Sequence, residues 1–584
     1  MVGLYGSRLE HYSIEQVQQM LQDERIPAHT VASFLSLIQT THQRFALDVD
    51  KAISLLKNSS SEQLASVLRV SKIKFPGTDG MRGLVSLPDF VTPVDCLVRY
   101  RSENQLTPLF CFVMVRAFLE QVKTVLHPLE MRICLGEDGR DAAAGHPLLP
   151  ALLGALSAAG WAVDYLGVVP TPAVAAYSLD QQIPGIMLTA SHNPASYNGL
   201  KFFIRGKKLY PEGPMGEYAL SAQALAVASS LGETFQMCSA TVPPVNTHGL
   251  QLLTECVADD LSEEEKRFLA SCSITLDCAH GAVSGWYQML LQNLGLFAEV
   301  LNAGLSEGSI NKGCGAALLD GISSIRREGP YPLALAKRMV EKQSLDNTRQ
   351  FGIAVDGDGD RAMVLVLEPE SDTVRVLSGD ELLVLLVRRL QDAGRTESGV
   401  SLTIESDPHT MQTLKRLYPD LTIRQTGVGD RWLFDNALLC GAEDSGHVVY
   451  PVSVGEHLLY SGNGLATGLT AIAAYRPQLL EHLCRTGVQK VVVKPVATQF
   501  WYEGSVLFEQ VRTILLGVFA QDIEPVVCEE DADILAYRLY GRELLYARAS
   551  GTEPKLQFVH PDLDDDRFEK ASQAFRIACK PFQK

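Results

Sequence analysis

The sequence predicts an α/β protein: three related strand–helix segments in series, a helical extension ahead of them and an α+β segment behind them. Three observations carry this reading. From about residue 75, apolar runs of strand length alternate with helical patterns, which implies βαβ units and a mostly parallel sheet. The alternation restarts twice along the chain. After about residue 490 it gives way to closely spaced strands of antiparallel character.

Residues 1–70 are rich in Gln, Ser and Leu and poor in Gly. "SIEQVQQML" opens on a capping box, Ser13 with Gln16, and repeats apolar residues at Ile14, Val17 and Leu21; "SSSEQLASVLRV" repeats the device. A helical extension is expected there. In the first α/β segment "MRICLGED", "AVDYLGVV" and "GIMLTA" read as strands, and "PLLPALLGALSAAG" and "AVAAYSLDQQ" as helices. The pattern restarts at "SITLDCA", "GWYQMLLQNLG" and "FAEVLNA", and again at "VSLTIES", "HTMQTLKRLYP" and "LTIRQT". Near the C-terminus a helix, "VLFEQVRTILLGVF", precedes the strands "DILAYRLY", "ELLYARAS" and "KLQFVH", and "DRFEKASQAFRIACKPF" is a last helix.

Composition narrows the function class. A chain of 584 residues is too long for one core. Its net charge of −17, without a basic tract, disfavours nucleic acid or an anionic membrane as partner. Twelve cysteines scattered in apolar contexts, with no C-x-x-C pair, read as reduced core residues of a cytoplasmic protein. The first residues lack the apolar core of a signal peptide, and no apolar run reaches the ~18–20 residues that span a bilayer. A soluble protein is expected.

Several loops carry candidate chemistry. In "TASHNPASYNGLKFF" an apolar strand ends by presenting Ser191, His192 and Asn193 on a turn, with Lys201 ten residues after the serine. In "FGIAVDGDGDRAMVLVLE" Asp356, Asp358 and Asp360 alternate with glycines between two strands, so three carboxylates can converge; they repel one another unless a hard cation such as Mg²⁺ or Ca²⁺ sits among them. An EF-hand is excluded: Arg361 stands where its glycine belongs, Leu367 where its last glutamate belongs, and the flanks are strands. "RASGTEPKLQF" brings Arg548, Ser550, Gly551 and Thr552 together as a phosphate-binding set, though a solvated hairpin turn has similar composition. "CGAEDSGHVVY" places Glu443, Ser445 and His447 on a glycine-bounded loop suited to sugar hydroxyls. "FPGTDGMRGLV" offers Thr78, Asp79 and Arg82, and "GEDGRDAAAG" offers Asp138 and Arg140; each alone is ordinary loop chemistry.

The order of these loops resembles the α-D-phosphohexomutase superfamily over residues 74–584. "GTDGMRG", "TASHNPASYNGLKFF", "DGDGDR", "GAEDSGH" and "RASGTEPKLQF" look like its opening loop, phosphoserine loop, metal loop, sugar-specificity loop and phosphate-binding loop. The resemblance implies three related α/β domains with mixed sheets and a C-terminal α+β domain around a central cleft. The expected limits are 71–240, 241–370, 371–487 and 488–584, after the extension at 1–70. It further implies that Ser191 carries a phosphoryl group and, with Asp356, Asp358 and Asp360, holds Mg²⁺. Lys201 and His447 match positions for proton transfer, and Arg82 an arginine near the reacting phosphate. Thr78, Arg361, Glu443, Ser445, Arg548, Ser550, Gly551 and Thr552 would bind substrate. The implied reaction interconverts hexose 1-phosphate and hexose 6-phosphate through a hexose 1,6-bisphosphate, with small-molecule sugar phosphates as partners.

Departures bear on the sugar. Residues 204–265 form a polar and alanine-rich stretch unusual for the family, Ser461-Gly462-Asn463-Gly464 replaces the usual T-G-D-G, and Asp444 occupies a position that varies between subfamilies. "GVGDRW" and "INKGCG" lean towards phosphoglucosamine mutases, while "RASGTEPKLQF" and "TASHNPASYNGLKFF" lean towards glucose or mannose phosphate, which is the expectation adopted. A serine hydrolase built on Ser191 and His192 is disfavoured, because no G-x-S-x-G elbow surrounds the serine. A catalytically silent sugar-phosphate-binding protein is disfavoured because every reactive residue type is retained.

Overall fold

The computed structural model describes residues 74–583 apart from positions 78, 233, 239, 396–398, 434–437, 481–487, 497–500, 502, 529, 532, 542, 550–554 and 562. The expected helical extension, and Thr78, Ser550, Gly551 and Thr552, lie outside the described residues.

Three sheets repeat one arrangement. In the first, Arg132–Glu137 pairs in parallel with Ala162–Val168 on one side and Pro184–Leu188 on the other, and Pro184–Leu188 pairs antiparallel with Tyr197–Ile204. In the second, Ser273–Asp277 takes the same place between Glu299–Leu301 and Gln350–Val355, and Gln350–Val355 pairs antiparallel with Ala362–Leu367. In the third, Gly399–Thr403 lies between Thr422–Thr426 and Leu438–Ala442, and Leu438–Ala442 pairs antiparallel with Val448–Val449. The sheets are therefore mixed, and only the third keeps mostly parallel pairings. A short loop cannot join parallel neighbours, and the loops at 189–196, 356–361 and 443–447 are short, so each closes an antiparallel pair. The strands before the first two of these loops, "PGIML" and "QFGIAV", are buried along their whole length, which accounts for their continuous apolar character.

One apolar core runs through all three sheets. It joins Met187 and Phe203, Ile353 and Val364, and Val400 and Leu402 through the helices Thr171–Asp180, Tyr287–Leu294, Gly379–Asp392 and Gly464–Ala473. The other face of the first sheet packs on Pro108–Leu126, a helix capped by Thr107 and buried on nearly every side. The alanine-rich stretch is helical: Glu217–Leu231 lies on Pro108–Leu126, and His248–Asp260 lies on Thr171–Asp180. The last sheet is wholly antiparallel, in the order Val488–Val493, Leu556–Pro561, Glu543–Ala549, Leu535–Leu539, Ile523–Val526, and has its own core against Val506–Phe519 and Asp566–Cys579.

Two expectations need correction. Thr373–Leu377 pairs with Ala362–Leu367 and Ser324–Arg326, so a limit at 370 cuts the second sheet, which runs on to Leu377; the turn-like "EPESDT" marks a hairpin within it. The edge strands Val488–Val493 and Ile523–Val526 were not anticipated, because each stands beside loop-like sequence. Among the described residues, no helix is long and apolar enough to cross a membrane.

Candidate active site

The repeated topology brings three hairpin loops together. Each leaves the same point of its sheet, between the second parallel strand and its antiparallel partner. Loop 189–196 carries Ser191, loop 356–361 the three aspartates, and loop 443–447 Glu443, Ser445 and His447.

Ser191 adopts a left-handed backbone, φ 50°, uncommon for a residue with a side chain. Its N–H donates to Thr189 Oγ1 at 2.8 Å, and its hydroxyl donates to Asp356 Oδ2 at 2.8 Å. The Asp loop turns through Gly359 in the left-handed region, φ 70°. At Gly357 a Cβ would stand 2.7 Å from Ser191 O, so only glycine lets the two loops touch.

The carboxylates are buried and unequal. Burial, then Asp358 and Asp360, push the Asp356 carboxyl up to about 8. Burial acts on Asp358 in the same direction, but the Lys201 ammonium outweighs it and holds Asp358 below the usual carboxylate range. Lys201, in strand Tyr197–Ile204, reaches Asp358 Oδ2 at 2.8 Å, Asp360 Oδ2 at 2.7 Å and Asp79 Oδ2 at 3.0 Å. Burial lowers its own pKa, but these three acids raise it well above the ordinary value.

A chain of charges then leads to the third loop. Lys208 Nζ lies 2.6 Å from Asp79 Oδ1 and 2.7 Å from Asp430 Oδ2. Asp430 Oδ2 stands 3.2 Å from His447 Nε2, within ion-pair range but without hydrogen-bond alignment. Asp79 also pairs with Arg82, whose Nη1 donates to Asn193 Oδ1 at 3.5 Å. Arg361 meets His192 Nδ1 at 2.7 Å, and its own N–H donates to Asp356 Oδ1 at 3.2 Å.

A cleft of about 480 Å³ opens beside these groups. Of the expected site residues, Arg82, Asp356, Arg361, Glu443, Ser445 and Arg548 line it. Ser191, Lys201, Asp358, Asp360 and His447 are fully buried in contact with that lining, so the structure gathers the described members of the expected set in two layers. Arg548 enters from the last sheet. Its Nε donates to Glu405 Oε1 at 2.8 Å, and Lys490 and Lys555 line the same end of the cleft. Asn463 bears on one departure of the sequence. Its Oδ1 accepts from Ala466 N at 3.2 Å and caps Gly464–Ala473, a role that asparagine and aspartate fill equally well.

Sequence reasoning passed over some of the site. Arg140 is buried, and its guanidinium donates to the carbonyls of Ser191, Asn193, Pro194 and Tyr197 at 2.7–3.2 Å while Asp138 holds its Nε. It thus braces the serine loop; "GEDGRDAAAG" held the signal, but as common loop composition. Lys208 and Glu405 had no motif to mark them.

The residues fit a divalent cation. One carboxylate oxygen of each of Asp356, Asp358 and Asp360 lies within 4.8 Å of the others. Asp358 Oδ1 and Asp360 Oδ1 are buried without a hydrogen-bond partner among the described residues, and Asp356 is raised by burial first and then by the two neighbouring acids, a crowding of charge that a cation would relieve.

Known proteins share this chain's sequence and fold. The family model "Phosphoglucomutase/phosphomannomutase, alpha/beta/alpha domain I" matches residues 97–213. A phosphoglucosamine mutase of Pseudomonas putida is 28% identical over 525 residues, covering 86% of this chain and 97% of its own length. Another, from Paenarthrobacter aurescens, is 33% identical over 343 residues, 57% of this chain and 65% of its own. The crystal structure of a phosphoglucomutase/phosphomannomutase family protein from Burkholderia thailandensis matches with a TM-score of 0.58 at 19% identity, covering 87% of this chain and 98% of that one.

Proposed function

Because the chain belongs to the α-D-phosphohexomutase superfamily and is a phosphomutase, we propose that it interconverts the 1- and 6-phosphates of glucosamine, with phospho-Ser191 as the phosphoryl carrier. The observation that carries the mechanism is the contact of Ser191 Oγ with Asp356 at 2.8 Å, where the loops of two sheets meet in a buried, highly charged centre. The choice of sugar rests on relatives named phosphoglucosamine mutases that align along almost their whole length. It replaces the expectation of glucose or mannose phosphate. Of Asp320, Glu405, Glu443 and Asp444 in the cleft lining, Glu405 and Asp320 are paired with Arg548 and Lys490, so Glu443 and Asp444 are the ones placed to meet a substrate ammonium group.

In the forward half-reaction a free sugar hydroxyl attacks the phosphorus on Ser191. The new P–O bond forms to the sugar, the bond to Ser191 Oγ breaks, the hydroxyl proton passes to a base in the site, and the departing Ser191 Oγ takes up a proton from an acid. Lys201, an ammonium held by its three acids, is the candidate that protonates the departing Ser191 Oγ, and His447, across the Asp79–Lys208–Asp430 chain, is the candidate that accepts the hydroxyl proton. Such a transfer is mostly positioning and charge neutralisation. Asp356, Asp358 and Asp360, with the phosphate on Ser191, would hold Mg²⁺, which supplies Lewis-acid polarisation of the phosphoryl oxygens when bound. Arg82 and Arg361 face the transferring group from the cleft wall. Arg548, with Ser550, Gly551 and Thr552 of the same loop, grips the phosphate that is not reacting, and Glu443 and Ser445 hold ring hydroxyls. The bisphosphorylated sugar then turns over, and Ser191 takes back the other phosphate.

A panel of glucosamine, glucose and mannose phosphates, each assayed in both directions with its bisphosphate as primer, tests the sugar. The highest kcat/KM is expected for glucosamine phosphate, and a clear preference for glucose or mannose phosphate overturns that choice. Intact-mass detection of a phosphoryl adduct that disappears in Ser191→Ala tests the carrier.

A further inference from the structure

We infer that Asn311 is a positioning residue that clamps the phosphoserine loop from the second sheet's side, gripping two of the four carbonyls that Arg140 holds from the first. Asn311 lies in "INKGCG", after Glu299–Leu301 and far from the serine in sequence. Its Nδ2 donates to Ser191 O at 2.8 Å and to Asn193 O at 3.0 Å. Arg140 donates to the same two oxygens, at 2.7 Å and 3.2 Å. A carbonyl oxygen has two lone pairs, so each is satisfied by one donor from either side.

The chemistry fixes the amide's orientation. Carbonyls only accept, so the side-chain nitrogen must face them, and Asn311 Oδ1 is left buried without a partner among the described residues. That arrangement has a cost, and it persists because the surroundings hold it. The Asn311 backbone is left-handed, φ 58°, and its N–H donates to Ala279 O at 2.9 Å in the loop after Ser273–Asp277. Gly357 completes the fit: a Cβ there would stand 2.7 Å from Ser191 O and 2.9 Å from Asn311 Nδ2. The amide therefore sits where the serine and aspartate loops touch. It fixes the left-handed turn that aims Ser191 Oγ at Asp356.

This role rests on the proposed reaction, in which alignment of Ser191 limits phosphoryl transfer and does not limit sugar binding. Asn311→Asp keeps the shape but puts an acceptor against two acceptors. Its kcat should fall roughly ten- to a hundredfold, with the Kd for sugar phosphate changed by less than about threefold. Asn311→Ala, which only removes the donor and is the safer variant for folding, should show the same split with a smaller fall. Amide hydrogen exchange of the peptide spanning residues 189–197 should quicken in both. Unchanged kcat and unchanged exchange in Asn311→Ala overturn the clamp. A loss confined to Kd overturns it too, by making Asn311 a substrate ligand. If wild-type protein transfers no phosphoryl group, the reaction assignment fails by itself, and the exchange measurement still decides the clamp.

Discussion

The loops that hold Ser191, Asp356 and Glu443 spring from sheets sharing one continuous core, whereas Arg548 springs from a sheet with a core of its own. Between the two parts lies a small apolar seam, Ile404 with Cys528, Ile534, Ala536, Leu544, Tyr546 and Val559. A few polar links cross beside it: Glu405 to Arg548, Arg424 to Glu530 at 3.1 Å, and Lys490 to Asp320 at 3.3 Å. Interfaces this slight permit relative motion, while a continuous core resists it. The contrast matches two different tasks. Phosphoryl transfer needs the serine and the carboxylates fixed to a fraction of an ångström. In the proposed reaction the grip on the far phosphate opens, releases a bisphosphorylated sugar and closes on its other end.

Four measurements break or sharpen this division. The largest effect belongs to the body: Ser191→Ala should lower turnover at least about a thousandfold while sugar-phosphate binding, read by calorimetry, stays within about threefold. A parallel loss of binding would mean that chemistry and grip are not separable. Next, Asp358→Asn should cut activity by roughly a hundredfold or more and shift its Mg²⁺ dependence to higher concentration, since one anionic ligand of very few is neutralised. Full activity of wild-type protein after exhaustive chelation would remove the metal from the mechanism.

The third concerns the side that must open and close. Arg548→Ala should weaken binding of the 1-phosphate and the 6-phosphate alike by roughly ten- to a hundredfold, because one pocket serves whichever phosphate is not reacting. Arg548→Lys should recover only part, lacking the planar fork. Titrating both isomers against Ser191→Ala isolates binding, and a loss for one isomer alone would refute the shared pocket.

The fourth and smallest reads stability. Glu137 ends strand Arg132–Glu137 in the body, and burial pushes its carboxyl up to about 7 from 4.5. A raised acid contributes stability that is fully present below about 4.5 and is lost as pH rises through 7. The Glu137 contribution should lower the body's melting temperature at pH 8 relative to pH 5, by an amount equivalent to about 2–3 kcal/mol at most. Glu137→Gln should lessen the pH dependence by that amount, leaving what other raised acids such as Asp141 and Asp356 contribute. Any separate transition of the C-terminal sheet should not follow it; if both transitions shift together, the two parts are one cooperative unit.

The sequence displayed the reactive loops because each needs unusual residues at fixed spacing. Three aspartates interleaved with glycines, or a serine followed by His-Asn-Pro after a buried strand, seldom arise from the needs of a turn alone. It also displayed the three-fold restart, although the antiparallel partner in each sheet is visible only once pairing is known. The supporting residues were hidden for the same reason. Arg140, Lys208, Glu405 and Asn311 act on backbone or on charges far away in sequence, so nothing beside them marks the role. The limit near 370 failed because the turn before Thr373–Leu377 looks like a link between domains and is in fact a hairpin.

Strand Tyr197–Ile204, which carries Lys201, is flanked by Pro184–Leu188 just before it and by Met81–Val85 from far upstream. Met81–Val85 must therefore wait, unpaired on that side, while about a hundred further residues are made and collapse around it. Non-local pairings of this kind are slow to form. The strands of the last sheet at Leu535–Leu539, Glu543–Ala549 and Leu556–Pro561 meet instead as successive hairpins. On refolding, β-structure should return before activity, since the serine loop is seated only when the two distant ends of its sheet have met. An unpaired strand edge that lives through that interval is open to pairing with another chain, which places the hazard of misassembly in the same sheet that holds the reactive serine.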